Sequence, residues 1–404
     1  MARMDVAVVG GGVAGLGAAL ALKSALGGRL RVALCDAALA GPVREDGRAF
    51  ALAAGPRRML EALGAWAGCA GTAEPIRDMV ITDSRVSDPV RPVFLTFDGE
   101  VEPGEPFAHM VEHGALLRSL TERVRSSGVV LVPQAVVARE SDAEEARLTL
   151  ADGTILPAAL VVACDGARSP LREGAGIDTV SWSYRQSGIV ATIGHERDHE
   201  GRAEEHFLPS GPFAILPLRG RASSIVWSER SEAVPALLAL DDADLMAEIE
   251  RRFGLKLGKL TLLSRPQAYP LSFAVARRFA GPRLALVGDA AHVIHPIAGQ
   301  GLNMGMRDVA ALADAAADAA ALGLDPGAPD VLETYQRERR FDTVLMGVVT
   351  DGLNRLFSND WTPARIVRDA GLGVVDRLPG LKRLFIREAA GLARRPRLFA
   401  GESL

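Results

Sequence analysis

Between Val287 and Asn303 the chain gathers an acidic side chain, two histidines, a proline and a pair of closely spaced glycines. Leu284 to Val287 reads as a buried strand, and Asp289, just past Gly288, is expected to be a buried carboxylate at its end. A carboxylate there suits hydrogen bonds from the hydroxyls of a ribityl chain, a charge-assisted pairing that needs no cation. His295 precedes Pro296, and the residue before proline is pushed out of the α region, so helix cannot form through it. Gly299 and Gly301 let backbone N–H groups approach a planar ring edge, and a helix from about Asn303 aims its positive end at that ring. A reduced flavin is an anion, so this combination suits a flavin and favours its reduction.

The opening of the chain carries a second group. Gly10, Gly12 and Gly15 form a G-x-G-x-x-G arrangement after an apolar strand from Met4 to Val9 and lead into an Ala/Leu-rich helix from Val13 to about Leu26. The strand from Leu30 to Cys35 then ends at Asp36, about 20 residues beyond the last glycine, where a ribose hydroxyl would be held. Strand, glycines, helix, strand and acid in that order make a dinucleotide-binding βαβ unit. The pattern leaves FAD and NAD open, because both present a pyrophosphate and an adenosine ribose. A third strand, Leu160 to Cys164, runs into Asp165-Gly166, which by itself reads equally well as a plain turn.

The eight residues from Asp165 to Arg172 resemble the D-G-x-x-S-x-x-R element of the flavin-dependent aromatic hydroxylases, with Ser169 and Arg172 in place. The glycine-rich opening, this element and Gly288-Asp289 stand in that family's order at comparable spacing. Within it, the stretch from His295 to Asp308 is similar to the branch that hydroxylates the ring of ubiquinone precursors, through Pro296, Gly299-Gln300-Gly301, Asn303, Gly305 and Arg307-Asp308. Asp46-Gly47-Arg48, Gly211-Pro212 and Thr350-Asp351-Gly352 support the match, which runs from Asp5 to about Gly391.

The motifs and the resemblance together imply an α/β fold: a Rossmann-like FAD-binding domain with an inserted antiparallel-sheet substrate domain and C-terminal helices. The FAD-binding domain is expected to be discontinuous, built from residues 1–74, 104–176 and 274–325. Residues 75–103 and 177–273 would form the substrate domain, with strands at Gly188 to Gly194, Glu204 to Pro209, Phe213 to Leu218 and Ser223 to Glu229. Asp241 to Phe253 reads as a helix there, and residues 326–404 as a C-terminal helical region.

Carried over residue by residue, the resemblance implies that Gly10, Gly12 and Gly15 cradle the FAD pyrophosphate and that Asp36 holds the adenosine ribose. Arg48 would lie near the flavin and its phosphates, Asp165 near the dinucleotide, and Asp289 at the ribityl chain. Gly301, Leu302 and Asn303 would present backbone to the pyrimidine edge. His113 departs from the pattern, since the superfamily usually has Arg, Gln or Asn there and the ubiquinone branch usually Asn. A neutral imidazole can still donate one hydrogen bond to the cofactor.

The implied chemistry is monooxygenation. Reduced nicotinamide, NADPH or NADH, would reduce FAD, O₂ would add to give a flavin hydroperoxide, and oxygen would pass to the ring of a polyprenylated phenol. Two other classes stay open: a reductase or halogenase of the same fold, and a non-catalytic flavin-binding scaffold of a quinone-synthesis assembly. The residues name no catalytic base. His292 and His295 adjoin the flavin segment, but histidines near strand ends also serve as structural hydrogen-bonding groups.

Bulk properties fit an enzyme of this kind. At 404 residues the chain exceeds one small core, and its net charge of −4 argues against nucleic acid as a partner. Cys35, Cys69 and Cys164 include no C-x-x-C pair and read as reduced, buried thiols of a cytoplasmic protein. No H-E-x-x-H or Cys/His cluster suggests a metal, no G-x-S-x-G elbow a hydrolase, and no apolar run a membrane span or signal peptide. Leu378 to Phe399 interleaves Lys382, Arg383, Arg387, Arg394, Arg395 and Arg397 with apolar residues. Such a tail suits peripheral contact with the inner face of a membrane, a biosynthetic partner, or simply a solvated helix face. The sequence leaves the oligomeric state open.

Overall fold

Val6 to Val9 are small or β-branched residues with no polar residue among them, the composition of a strand covered on both faces. In the computed structural model, which describes residues 1–27, 30–43, 46–83, 86, 93–357 and 396–404, they lie at the centre of a largely parallel sheet. Met4–Val9 runs parallel to Val32–Cys35 on one side and to Ile155–Ala163 on the other. Val130–Val132 extends the sheet beyond Val32–Cys35, and Leu284–Leu286 joins the far end of Ile155–Ala163, both in parallel. An antiparallel pair, Val136–Ser141 and Ala146–Leu150, completes the other end.

Helices cover this sheet. Val13–Ala25 packs between His113–Ser126 and Gln300–Ala321, and Pro329–Phe357 packs on the latter. Gly17 makes the closest of these approaches possible: a Cβ there would already touch the Met306 sulfur at 3.4 Å.

A second sheet is built around the long strand Thr179–His195, which pairs antiparallel with Ala222–Arg230 and with Gln267–Ala276. Gly211–Leu218, Arg202–Leu208, Asp78–Asp83 and Val93–Asp98 follow in order. Alternation along the strands gives this sheet two faces. One carries Ile189, Ile193, Phe213, Ile225 and Trp227 and buries them against Leu245, Ile249 and Phe253 of the helix Asp242–Phe253, whose N-cap is Asp241. The other carries Val190, Leu216, Val226 and Tyr269, and Leu216 packs, like Ala49 and Ala51 of the short strand Ala49–Ala53, on the cluster of Ile76, Ala108, Met110 and Ala203. The second face therefore turns toward a small three-stranded sheet formed by Ala49–Ala53, Ala108–Glu112 and Glu74–Ile76.

Three expectations change. The central strand starts at Thr179 rather than Gly188, because Gln267–Ala276, which has little alternation of its own, pairs along its whole length. The helix expected from Asn303 starts at Gln300, since Gly299 takes a left-handed conformation (φ +63°) that ends a tight turn over Ile297–Gly299 and frees the next residue to enter the helix. Most of the basic tail lies outside the described residues. Its last part folds back on the molecule: Arg397 pairs with Asp314 and Asp318, and the Phe399 ring packs where a Cβ on Gly55 would stand. Arg397 is thus committed within the chain.

Candidate active site

Parallel strands end on the same edge of a sheet, and ligands of such sheets bind there. The carboxyl ends of Met4–Val9, Val32–Cys35, Ile155–Ala163 and Leu284–Leu286 carry, in turn, Gly10 to Gly12, Asp36, Asp165 and Gly288-Asp289. Segments far apart in sequence thus meet at one edge.

The three glycines at the first end differ in what they permit. A Cβ on Gly10 (φ +113°) would lie 2.2 Å from the Cys164 carbonyl oxygen, and one on Gly15 would lie 1.8 Å from that of Gly10. Both are needed for the turn and for the helix to approach the strand. A Cβ on Gly12 would meet nothing within 4 Å, and Gly12 begins the helix Val13–Ala25 with no side-chain cap. The open space lies over unpartnered N–H groups and the positive helix end, which together suit an anion. Asp36 closes the neighbouring turn by accepting from Gly11 N (2.5 Å) through Oδ2 and from Ala38 N (2.7 Å) through Oδ1.

Asp165 accepts from Leu171 N at 3.2 Å with Oδ2, and its Oδ1 is buried with no hydrogen-bond partner among the described residues. Burial pushes its carboxyl up. Ser169 caps the short helix Pro170–Gly174 by accepting from Arg172 N, and the buried Arg172 guanidinium donates to the carbonyls of Ala167 and Ala290, each at 3.0 Å.

Asp289 corrects the sequence reading. Its side chain is exposed at the strand-end opening rather than buried, and it has no hydrogen-bond partner among the described residues. Protein nonetheless surrounds it on its other sides, and that desolvation holds its carboxyl above the usual range against the pull of His292 and Arg48. The buried carboxylate of this region is Asp308, with no exposure at all. Its Oδ2 accepts from Gly288 N (3.0 Å) and His292 Nε2 (2.6 Å), and its Oδ1 from Arg339 Nε (2.8 Å). Burial alone would raise the Asp308 carboxyl, but His292 and Arg339 together hold it below its usual value. The Leu286 carbonyl accepts from the Tyr335 hydroxyl (2.6 Å) and that of Ala290 from Arg172, so the backbone around Asp289 is fixed while its carboxylate is left facing the opening.

Arg48 and His113 lie together around Asp46. Asp46 accepts from Arg48 Nε (2.7 Å) and from His113 Nδ1 (2.8 Å). Desolvation lowers the pKa of His113, which favours the neutral ring, and the single N–H of that ring goes to Asp46. Its Nε2 is then an acceptor, so the donated hydrogen bond expected from His113 is already used inside the protein. The Arg48 guanidinium lies over the rings of Phe50 and Tyr269, linking the Ala49–Ala53 strand to the facing sheet.

Gln300–Ala321 begins at Gly299 without a side-chain cap, and a Cβ on Gly301 would meet open space. Asn303 does not turn its side chain to that opening. Its Oδ1 accepts from Ala53 N (2.9 Å) and its Nδ2 donates to the carbonyls of Ala51 (2.8 Å) and Gly299 (3.1 Å), pinning the helix start to the strand. What remains for a ligand is the backbone of Gly301, Leu302 and Asn303.

Neither histidine of the segment reaches the opening. His292 is spent on Asp308, and His295 is fully buried with both ring nitrogens unpartnered among the described residues, its ring edge-on to Tyr184 at 5.0 Å. Arg339 had no sequence signal, because its partner Asp308 is 31 residues away on another helix. Asp308 and Arg172 stood in the motifs, but their partners become visible only in the fold.

Residues 3–346 match the family model described as an FAD binding domain. The ubiquinone hydroxylase UbiL of Rhodospirillum rubrum is 44% identical over 99% of this chain and 93% of its own length. The 3-demethoxyubiquinol 3-hydroxylase of Escherichia coli is 34% identical over 96% and 98%. The chain belongs to the FAD-dependent aromatic hydroxylases, in the ubiquinone hydroxylase branch. The fold agrees: the crystal structure of p-nitrophenol 4-monooxygenase PnpA from Pseudomonas putida superposes with a TM-score of 0.77 over 98% of this chain and all of that one, at 20% identity. The protein is a flavoprotein hydroxylase with FAD as cofactor, O₂ as co-substrate and NAD(P)H as the family's reductant.

The residues at the strand ends fit FAD on their own terms. Two uncapped helix starts offer N–H groups to negative charge, Gly12 and Gly301 leave the space a side chain would fill, the Asp289 carboxylate is exposed at the opening, and Asp165 Oδ1 is buried without a partner among the described residues. Such groups are costly to bury unpaired, which favours a polar ligand that supplies hydroxyl donors.

Proposed function

We propose that this chain hydroxylates the aromatic ring of a polyprenylated phenol in ubiquinone biosynthesis. The observation that carries the proposal is the convergence of Gly12, Asp36, Asp165 and Asp289 at four parallel strand ends, in a chain 44% identical to a ubiquinone hydroxylase. The pyrophosphate of FAD rests over Gly10, Gly12 and Gly15, the adenosine ribose meets Asp36, and the ribityl chain meets Asp289, with Asp165 beside the dinucleotide. Arg48 lies by the flavin and its phosphates, and Gly301, Leu302 and Asn303 offer backbone N–H groups to the pyrimidine edge. His113 contributes as an acceptor and through its hold on Asp46. Residues 1–74, 104–176 and 274–325 act as the cofactor domain, 75–103 and 177–273 as the substrate domain, and 326–404 as the C-terminal helical region.

Bound FAD supplies the redox chemistry and the activation of O₂. The protein's own share is placement. Val190, Val226, Leu216 and Tyr269 offer an apolar floor that orients a ring and excludes water. The helix start at Gln300 places its positive end where negative charge gathers on the ring system. Peripheral association with the inner face of a membrane would keep a prenylated substrate within reach.

The test is an absorbance spectrum of the purified protein, followed by NADPH or NADH oxidation in air with and without a prenylated phenol. A flavin spectrum, phenol-stimulated oxidation and a product heavier by one oxygen atom are expected. A reduced or halogenated product, or flavin binding without phenol-stimulated oxidation, would move the protein to the reductase, halogenase or scaffold class.

A further inference from the structure

Pro329–Phe357 buries Leu332, Tyr335, Arg339, Thr343, Gly347 and Thr350 against the rest of the molecule. Its outward side over the middle turns is Phe341, Val344, Leu345, Val348 and Val349, each between 42% and 69% exposed. Spacings of three and four put these residues in one row. The outer face of a surface helix is ordinarily polar, so a continuous apolar row marks a contact surface. The acids near the row are engaged: Asp342 pairs with Arg307 and Arg339, and Asp351 with Arg355. Two cations, Arg337 and Arg340, stand exposed at its start. Glu338, between them, is already engaged within the chain.

We infer that this row seats the protein on an anionic lipid surface, the apolar side chains at the acyl boundary and Arg337 and Arg340 among the headgroup phosphates. Charge decides the occupant. Anionic headgroups meet both with opposite sign, whereas the row of a second copy offers them no carboxylate, its Asp342 and Asp351 being paired within the chain. Among the described residues no helix is long and apolar enough to cross a membrane, so the contact is one of lying on the surface.

The same helix also walls a cleft of about 780 Å³ through Asn354 and Arg355, together with Trp182, Tyr184 and Gln186. Gln186 spans it, accepting from Asn354 Nδ2 (3.0 Å) and donating to the Ser210 carbonyl (2.8 Å), and Tyr184 in its wall touches His295 beside the Pro296 turn. Seating by the row brings the mouth of this cleft to the interface where a prenylated phenol resides, a consequence that rests on the proposed substrate. The lipid contact itself does not.

Flotation of the full-length holoprotein with phosphatidylcholine vesicles, with and without phosphatidylglycerol, tests the inference. The native chain is expected to float with the anionic vesicles, and the double variant Leu345→Glu/Val348→Glu to bind them at least tenfold more weakly while keeping its flavin spectrum. Arg337→Glu/Arg340→Glu is expected to lose the preference for phosphatidylglycerol. No flotation of the native chain, or equal flotation of the Leu345→Glu/Val348→Glu variant, overturns the inference. So does a native dimer that this variant splits while vesicle binding stays unchanged, which would assign the row to a second copy. Turnover of a short-chain, water-soluble phenol is measured in parallel: its absence in a native chain that floats counts against the proposed activity and leaves the lipid face standing.

Discussion

Arg172 donates from Nη1 to the carbonyl of Ala290, 3.0 Å away and 118 residues along the chain, and so fastens the Asp165 turn to the Asp289 turn. One guanidinium fixes the spacing of two carboxylates that are proposed to meet the same cofactor. Replacing it by Met keeps much of the bulk and removes the donors to Ala290 and Ala167. Hydrogen bonds from charged groups contribute about 1.5–3 kcal/mol each. Arg172→Met should therefore lower the urea stability of the apoprotein by about 3 kcal/mol and weaken FAD at least tenfold in a fluorescence titration. Native values for both would show that the bridge positions nothing.

The glycines separate fold from ligand. Gly10→Ala places a Cβ against the Cys164 carbonyl in a left-handed backbone, so the apoprotein itself should lose stability or fail to fold. Gly12→Ala and Gly301→Ala meet open space. In the helix Gln300–Ala321, alanine for glycine should even stabilise the apoprotein, by about 0.5–1 kcal/mol. Both of these variants should weaken FAD binding strongly. Normal FAD affinity in Gly12→Ala and Gly301→Ala would remove the assignment of those spaces to the cofactor.

Asp308 is a buried charge between His292 and Arg339. Asp308→Asn leaves Arg339 with Asp342 alone, and breaking a buried pair costs about 3–5 kcal/mol. The pH dependence follows from the depressed carboxyl. The stabilisation is present in full above the unfolded value, about 3.9, and is lost as pH falls through the lower folded value. The gap in Tm between native and variant protein should hold steady from neutrality to about pH 5 and close below it. A gap that stays constant to the acid end would contradict the pairing.

His295 is expected to be a structural liability rather than a base. Burial pushes its pKa down to about 4, and its two ring nitrogens have no partner among the described residues. The unfolded chain, with a histidine near 6.5, binds the proton first, so stability falls as pH drops from about 6.5 to about 4. His295→Phe should raise stability by about 1–3 kcal/mol, flatten that limb, and leave the coupling of reductant use to product unchanged. His109, also lowered to about 4 by burial, keeps the remaining slope. Uncoupled turnover in His295→Phe would return the residue to the catalytic machinery.

Local chemistry was legible in the chain itself. The order of Met4–Val9, the three glycines, a helix and Asp36 follows from apolar runs and the spacing of the glycines, and the structure repeats it with the Val13–Ala25 helix ending one residue earlier and the Val32–Cys35 strand starting two residues later than expected. Asp165 and Asp289 were identifiable because each lies just past the end of a buried strand, and strand ends are where a parallel sheet offers its side chains. The helix Asp242–Phe253 was plain from the spacing of Leu245, Ile249 and Phe253.

Partnership was decided by the fold, because a hydrogen bond between distant segments leaves no trace in either one. Nothing near Asn303 says that its amide is spent on Ala51 and Ala53, or near His113 that its N–H belongs to Asp46. The sequence placed a buried carboxylate in the Val287 to Asn303 region and chose Asp289. Packing exposed that one to the opening and sealed Asp308 instead, since Asp308 alone finds His292, Arg339 and the Gly288 N–H to offset the cost of leaving water. Residue type and spacing thus determined which ligand the chain is built for. Burial and long-range pairing, which depend on where the whole chain comes to rest, decided which side chains are left to meet it.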